Sequence, residues 1–287
     1  MEYDESKRKY GGKIMLFDSH AHINNESFDE EEREALIAKI EASKVDYVMD
    51  IGFNPESSEV AVKHANRLSW CYAAVGCHPH DTKDMDEEKL DRLRELAQEE
   101  KVRAIGEIGL DFYYDYSDRD AQRYWFRRQI QLANEQKMPI VIHAREADQE
   151  VMDILREEGA FSEERKSWFP QRYDGSGDAR VLLHCFSGSR ELGQQYVKLG
   201  ATISVAGPVT YKNNKKTVAV VEALPIEVLL VETDSPYLTP VPFRGKRNIP
   251  PYVEYTAAKV AEIKGLTLEE TAARTKENAM RFFDVRE

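Results

Sequence analysis

The chain predicts a single (β/α)8 barrel of the TIM type, an α/β fold with its chemistry at the C-terminal rim of the strands. Three observations carry this. Short apolar runs rich in Val and Ile alternate with amphipathic stretches from residue 14 onward, and there are eight of them. From Leu16 in the first run to Val228 at the start of the last is about 30 residues per step, the size of a strand-plus-helix unit. Strands alternating with helices make a parallel sheet, and eight units favour closure over an open sheet.

The runs are IMLFDSH (14–20), VDYVMDIG (45–52), CYAAVGCH (71–78), VRAIGEIG (102–109), PIVIHA (139–144), ARVLLHC (179–185), ATISVAG (201–207) and VLLVETD (228–234). Each is bounded by Gly, Pro or polar residues, as a buried strand is. Among the intervening stretches, EEEREALIAKIEAS (30–43) sets Leu36, Ile37 and Ile40 on one helical face. DEEKLDRLRELAQEE (86–100) repeats the pattern and opens with acids that suit a helix N-terminus. Segments 118–136 and 146–159 follow, the second with Gly159 as its C-cap. Segments 250–264 and 267–283 read as the closing helices. SEERKSWFPQRYDGSGDA (162–179) lengthens a helix-to-strand connection, which lies on the face opposite a barrel's active site, and reads as a surface insertion. Residues 1–13 read as a flexible extension and 14–287 as the barrel domain.

Composition narrows the class. No stretch approaches the roughly 20 apolar residues of a membrane helix. Three Cys are too few for a disulfide scaffold and fit a reducing compartment. MEYDESKRKYGGK has no apolar core, so a signal peptide is not expected and a cytoplasmic location is. The net charge of −12 disfavours a broad basic surface that grips duplex DNA, although a metal-filled cleft supplies positive charge locally.

Six of the seven His residues (His20, His22, His78, His80, His143 and His184) follow on strand ends, and only His64 sits mid-helix, where a structural or surface role is expected. Glu107 and Asp234 join the strand-end set. In a barrel all of these face one rim. Imidazoles and carboxylates converging there call for a cation, because without one the clustered acids repel. His20 and His22, two apart on a strand, point the same way and form a two-tooth clamp. The six candidate ligands His20, His22, Glu107, His143, His184 and Asp234 exceed the three of a mononuclear catalytic zinc site, so two divalent ions (Mg2+, Mn2+ or Zn2+) with Glu107 bridging are expected. Their excess positive charge suits a phosphodiester, cleaved by an activated water.

DSHAH (18–22), AVGCHPH (74–80), AIGEIGLDFYYD (104–115), IVIHAR (140–145), VLLHCFSGS (181–189) and LLVETDSPYLTP (229–240) resemble the TatD family of metal-dependent deoxyribonucleases, within the amidohydrolase-like barrels. The likeness runs from about residue 15 to about 283. It implies a divalent-metal barrel that hydrolyses DNA, in some members as a 3′–5′ exonuclease, with single-stranded DNA favoured. It implies that His20, His22, Glu107 and Asp234 hold one ion and Glu107, His143 and His184 the other. Asp234 would also act as general base. His78 and the loop carrying Arg244, Lys246, Arg247 and Asn248 would reach the phosphate. The alternative is an amidohydrolase-type enzyme cleaving a C–N bond or a lactone. Such enzymes often carry a carboxylated lysine where Glu107 stands.

Other residues are less decided. Cys77 and Cys185 should point away from the pocket by strand alternation. Asp18 and Glu232 share faces with His20 and Asp234, as partners of the ligands or as structural acceptors. Phe112, Tyr113, Tyr114 and Tyr116 cluster after the fourth strand, where base stacking and core or lid packing are both open.

Overall fold

The computed structural model describes residues 14–286; the charged segment 1–13 lies outside them. In chain order the elements are β1 (Leu16–Ala21), α1 (Glu30–Glu41), β2 (Val45–Ile51), α2 (Pro55–Arg67), β3 (Cys71–Val75), α3 (Glu87–Leu96), β4 (Val102–Asp111), α4 (Arg119–Glu135) and β5 (Ile140–Arg145). There follow α5 (Asp148–Glu157), α6 (Glu163–Ser167), β6 (Val181–Leu183), α7 (Arg190–Leu199), β7 (Thr202–Val205), α8 (Lys215–Ala223), β8 (Leu229–Val231), α9 (Val253–Lys264) and α10 (Leu268–Phe283). Local chemistry starts and stops these helices. Asp29–Glu32, Asn54–Ser57 and Thr267–Glu270 are reciprocal capping boxes. Gly200 and Gly265 end α7 and α9 in the left-handed conformation.

The eight strands are parallel and pair in sequence order, β1 to β8. The ring closes where β1 meets the chain leaving β8. Ala21 bridges Ser235, the His22 N–H donates to the Ser235 carbonyl at 2.8 Å, and the Asp234 N–H donates to the His20 carbonyl at 2.9 Å. This is the expected barrel, and its seam is sewn through three of the six candidate ligands.

Two apolar layers hold it. Inside the barrel, Phe17, Met49, Ala74, Ala104, Val141, Leu182 and Leu230 pack on Phe282 and Phe283 of α10, which plug the end where the strands begin. Phe17 and Phe283 stack with ring centroids 6.0 Å apart. Outward strand residues such as Val48, Ile105 and Ile140 pack against helix faces that carry Leu36, Leu90 and Phe126. With one end filled by aromatic rings, polar chemistry is left to the other.

The 162–179 connection is less loose than an insertion needs to be. Arg165 is fully buried and donates to the carbonyls of Ala179 (2.8 Å) and Met138 (2.8 Å) and to Asn134 Oδ1 (2.7 Å). One guanidinium thereby ties the segment to the end of α4 and the approach to β6. Among the described residues no helix is long and apolar enough to cross a membrane.

Candidate metal centre

His20 and His22 lie on β1, both buried. The His22 Nδ1–H donates to the Ile51 carbonyl at 2.7 Å, which leaves its Nε2 lone pair facing inward. There His20 Nε2 and His22 Nε2 are 3.2 Å apart. Glu107 Oε2 lies 3.4 and 3.7 Å from them, and Asp234 Oδ1 lies 3.7 and 3.5 Å from them. A tetrahedral ion with bonds of about 2.1 Å needs donors about 3.4 Å apart. The His20, His22 and Glu107 edges fall near that value, so these three side chains are close enough together to hold one ion, and Asp234 lies against its two histidines.

The other Glu107 oxygen faces a second group. His184 Nε2 is 2.6 Å from Oε1, His143 Nδ1 2.8 Å and His78 Nε2 3.6 Å. Three donor triads in the described residues are tight enough to hold an ion: His20–His22–Glu107, His78–Glu107–His143 and His20–His184–Glu232. Glu107 belongs to two of them, one oxygen to each.

Glu107 is not at a strand end. It sits mid-way along β4, whose ladder continues to Asp111. The chain can run so close to β5 here because of Gly109, with φ at 150°, where a Cβ would lie 1.9 Å from the His143 carbonyl oxygen. β6 and β8 are instead shorter than their apolar runs, so His184 and the 232–234 segment leave the ladder at the rim.

The sequence model of the TatD related DNase family matches residues 17–284. The chain belongs to that family. This TatD-family hydrolase is 44% identical to the uncharacterized metal-dependent hydrolase YabD of Bacillus subtilis over 94% of its own length and all of that protein. It is 31% identical to the 3′-5′ ssDNA/RNA exonuclease TatD of Cronobacter sakazakii, covering 93% of this chain and 97% of that one. Its fold superposes on YJJV, a TatD homolog from Escherichia coli K12, with a TM-score of 0.83 at 26% identity, over 96% of this chain and all of the other. It is a metal-dependent hydrolase of a nuclease family.

In the TatD-family centre the imidazoles and carboxylates shift one another's titration. Burial raises the Glu107 carboxyl, but His184 and His78, with hydrogen bonds from His143 and His184, hold it well below the usual range. Burial likewise raises Asp234, and His22, His20 and His184 outweigh it. Burial lowers the His184 imidazole, yet Glu107 and Glu232 lift it well above its ordinary value. His22 and His143 are also lifted by acids against burial. His20 and His78 are lowered, first by burial and then by a neighbouring imidazole.

Asp111 is the residue that sequence reasoning passed over. Its Oδ2 accepts from His80 Nε2 at 2.9 Å and His143 Nε2 at 3.1 Å, and its Oδ1 accepts from the amides of Tyr113 and Tyr114 at 3.0 Å each. The signal was present: Glu107, Gly109 and Asp111 alternate on one face of β4. Glu232 Oε1 accepts from the Cys185 amide at 2.6 Å and lies 3.4 Å from His184 Nδ1. Asp18 accepts from Thr233, holding the chain beyond β8 against β1. His64 is structural: its Nδ1 is 2.7 Å from Asp50, which also receives Asn24.

The expected phosphate contacts divide. His78 stands within the histidine cluster, 3.6 Å from Glu107. Arg244 and Lys246 are exposed over the rings of Tyr211 (4.2 Å) and Phe243 (5.6 Å). Arg244 also lines a cleft with Tyr211, Lys212, Asn213 and Asn214. Arg247 is exposed, 3.1 Å from Glu32 and over Phe28. Asn248 departs from expectation: it is buried, and its amide donates to the carbonyls of Thr233 (2.8 Å) and Tyr237 (2.6 Å), so it builds the loop and has no donor to spare. Cys185 departs too. Its strand ends at Leu183 and its φ is 43°, so alternation no longer governs it. Burial raises its thiol, and Asp234, Glu232 and Glu107 raise it further. Cys77 is buried in the outer core, as expected.

Proposed function

We propose that the chain is a phosphodiesterase acting on DNA, with single strands favoured and digestion from the 3′ end, that uses two divalent ions. The single observation that carries this is Glu107, one oxygen directed at His20 and His22 and the other at His143 and His184. One buried carboxylate placed between two donor groups is what a bridged pair of ions needs. His20, His22, Glu107 and Asp234 would hold one ion, and Glu107, His143 and His184 the other. When bound, the ions supply Lewis-acid charge for the phosphate and lower the pKa of the attacking water.

The chain's own groups do the rest. Asp234 is fixed in a left-handed conformation, φ 56°, by its amide bond to His20, and its side chain keeps some access to solvent. On this reading it would take the proton of the incoming water. His78 offers a ring N–H donor, and the exposed Arg244, Lys246 and Arg247 bring positive charge, to the substrate phosphates at the rim of an acidic chain. The nuclease name of the Cronobacter relative supports this reading.

End-labelled single-stranded DNA incubated with the chain and Mg2+ or Mn2+ should shorten from its 3′ end, and EDTA should stop the reaction. Glu107→Gln with Asp234→Asn should abolish it with the fold retained. Absence of cleavage with Mg2+, Mn2+ and Zn2+, activity that survives the double substitution, or turnover only of a lactone or dipeptide supplied in parallel would refute the proposal.

A further inference from the structure

Among the described residues, eight large hydrophobic side chains are exposed, and three of them, Tyr113, Tyr114 and Tyr116, stand together just beyond β4. They are 54%, 43% and 57% exposed, at the end of the barrel that carries the metal centre. Aromatic rings left in water within four residues of one another need a reason, since each could bury 150 Å2 or more, on the order of a core residue. Their neighbour Phe112 shows the alternative. It is half-buried, with the guanidiniums of Arg119 and Arg123 over its ring at 4.4 and 5.3 Å.

The rings are arranged. Tyr114 and Tyr116 lie nearly parallel, 17° apart, with centroids at 5.2 Å. The Arg145 guanidinium sits over Tyr113 at 4.3 Å and over Tyr114 at 4.6 Å. His80 meets Tyr114 and Tyr116 edge-on at 5.5 and 4.8 Å. They are also held. Asp111 receives the amides of Tyr113 and Tyr114, and Arg119 clamps the loop through Asp115 and the Phe112 carbonyl. A loop so fixed presents its rings with little left to order on binding. Finally, they are continuous with the metal centre: the same Asp111 carboxylate receives His143, whose other nitrogen faces Glu107.

We propose that Tyr113, Tyr114 and Tyr116, with Arg145, form a platform on which the bases of single-stranded nucleic acid stack as the strand enters the metal centre. This rests on the nuclease reading of the same site and names how it selects its substrate. Flat rings and a guanidinium recognise any base with a free face. Bases inside a duplex present none, because their faces are already stacked on one another. The platform therefore selects single strands without selecting sequence, and it does so in a chain whose net charge of −12 gives no general attraction for phosphate.

The test is equilibrium binding in EDTA, so that nothing is cleaved, followed by fluorescence anisotropy of labelled oligothymidylate and of an abasic strand of equal length. The full chain should prefer the base-bearing strand. Tyr114→Ala with Tyr116→Ala should weaken that binding by about tenfold or more, and Tyr114→Phe with Tyr116→Phe should keep it. Binding of the abasic strand should be the same in all three proteins. A full chain that does not prefer bases, an alanine variant that binds oligothymidylate as tightly as the parent, or one that loses the abasic strand equally overturns the platform. Because the titration runs without metal, the hydrolysis test of the nuclease reading fails or succeeds separately.

Discussion

Replacing Asp111 by Asn should loosen one metal position and spare the other. The carboxylate accepts from His143 Nε2 at 3.1 Å, so that nitrogen carries its hydrogen and Nδ1, 2.8 Å from Glu107, offers the lone pair to a cation. The amides of Tyr113 and Tyr114 hold the Oδ1 acceptor in place. An Asn therefore turns its NH2 toward His80 and His143, donor against donor. His143 must move its hydrogen to Nδ1 or lose the contact. A hydrogen bond to a charged group is worth about 1.5–3 kcal/mol, and loss of such a supporting partner typically weakens metal binding about 10–100-fold. That loss should fall on the ion that, on the proposed reading, Glu107, His143 and His184 would hold. The one that His20, His22, Glu107 and Asp234 would hold should keep its affinity, because no Asp111 hydrogen bond reaches those four side chains. Titration of Zn2+ or Mn2+ against a chromophoric chelator resolves the two sites, with circular dichroism to confirm the fold. Two parental affinities, or two sites weakened alike, would refute the tautomer argument.

Metal uptake should expel protons. His184, His143 and His22 are lifted above the ordinary imidazole value in the metal-free protein and must be neutral to bind, so affinity should climb as pH rises through that range. Calorimetry in two buffers of different ionisation enthalpy checks this, and heats that do not depend on the buffer would contradict it. Gly109→Ala should lower stability by more than about 2 kcal/mol, since the new Cβ would meet the His143 carbonyl at 1.9 Å. Gly245→Ala, at φ 85° with open space around it, should lose only about 1 kcal/mol in the same denaturant titration. Arg165→Met should orphan the Ala179 and Met138 carbonyls and Asn134 Oδ1, at about 1 kcal/mol each or more, seen as a lower Tm; an unchanged Tm would show the 162–179 connection to be held by other contacts.

The barrel and the set of candidate ligands can both be read from the amino-acid order alone. Burial on both faces makes parallel strands read as Val- and Ile-rich runs, and their 30-residue recurrence implies the connecting helices. A two-residue period puts His20 and His22 on one face whatever the rest of the chain does. What the sequence left open depends on the geometry after a strand ends. Cys185 leaves the alternation because β6 stops at Leu183. Asn248 turns inward because two carbonyls beyond β8 need a donor. No local pattern shows that one Glu107 oxygen faces His20 and His22 and the other His143 and His184, that one Asp111 carboxylate receives both His143 and the amides of the tyrosine loop, or that Tyr113, Tyr114 and Tyr116 stand exposed together. Those are relations among β1, β4, β5, β6 and the chain beyond β8, brought together only when the ring closes at Ala21 and Ser235. Local periodicity specifies which face a side chain takes, but the distance between two faces is set by closure of the whole barrel.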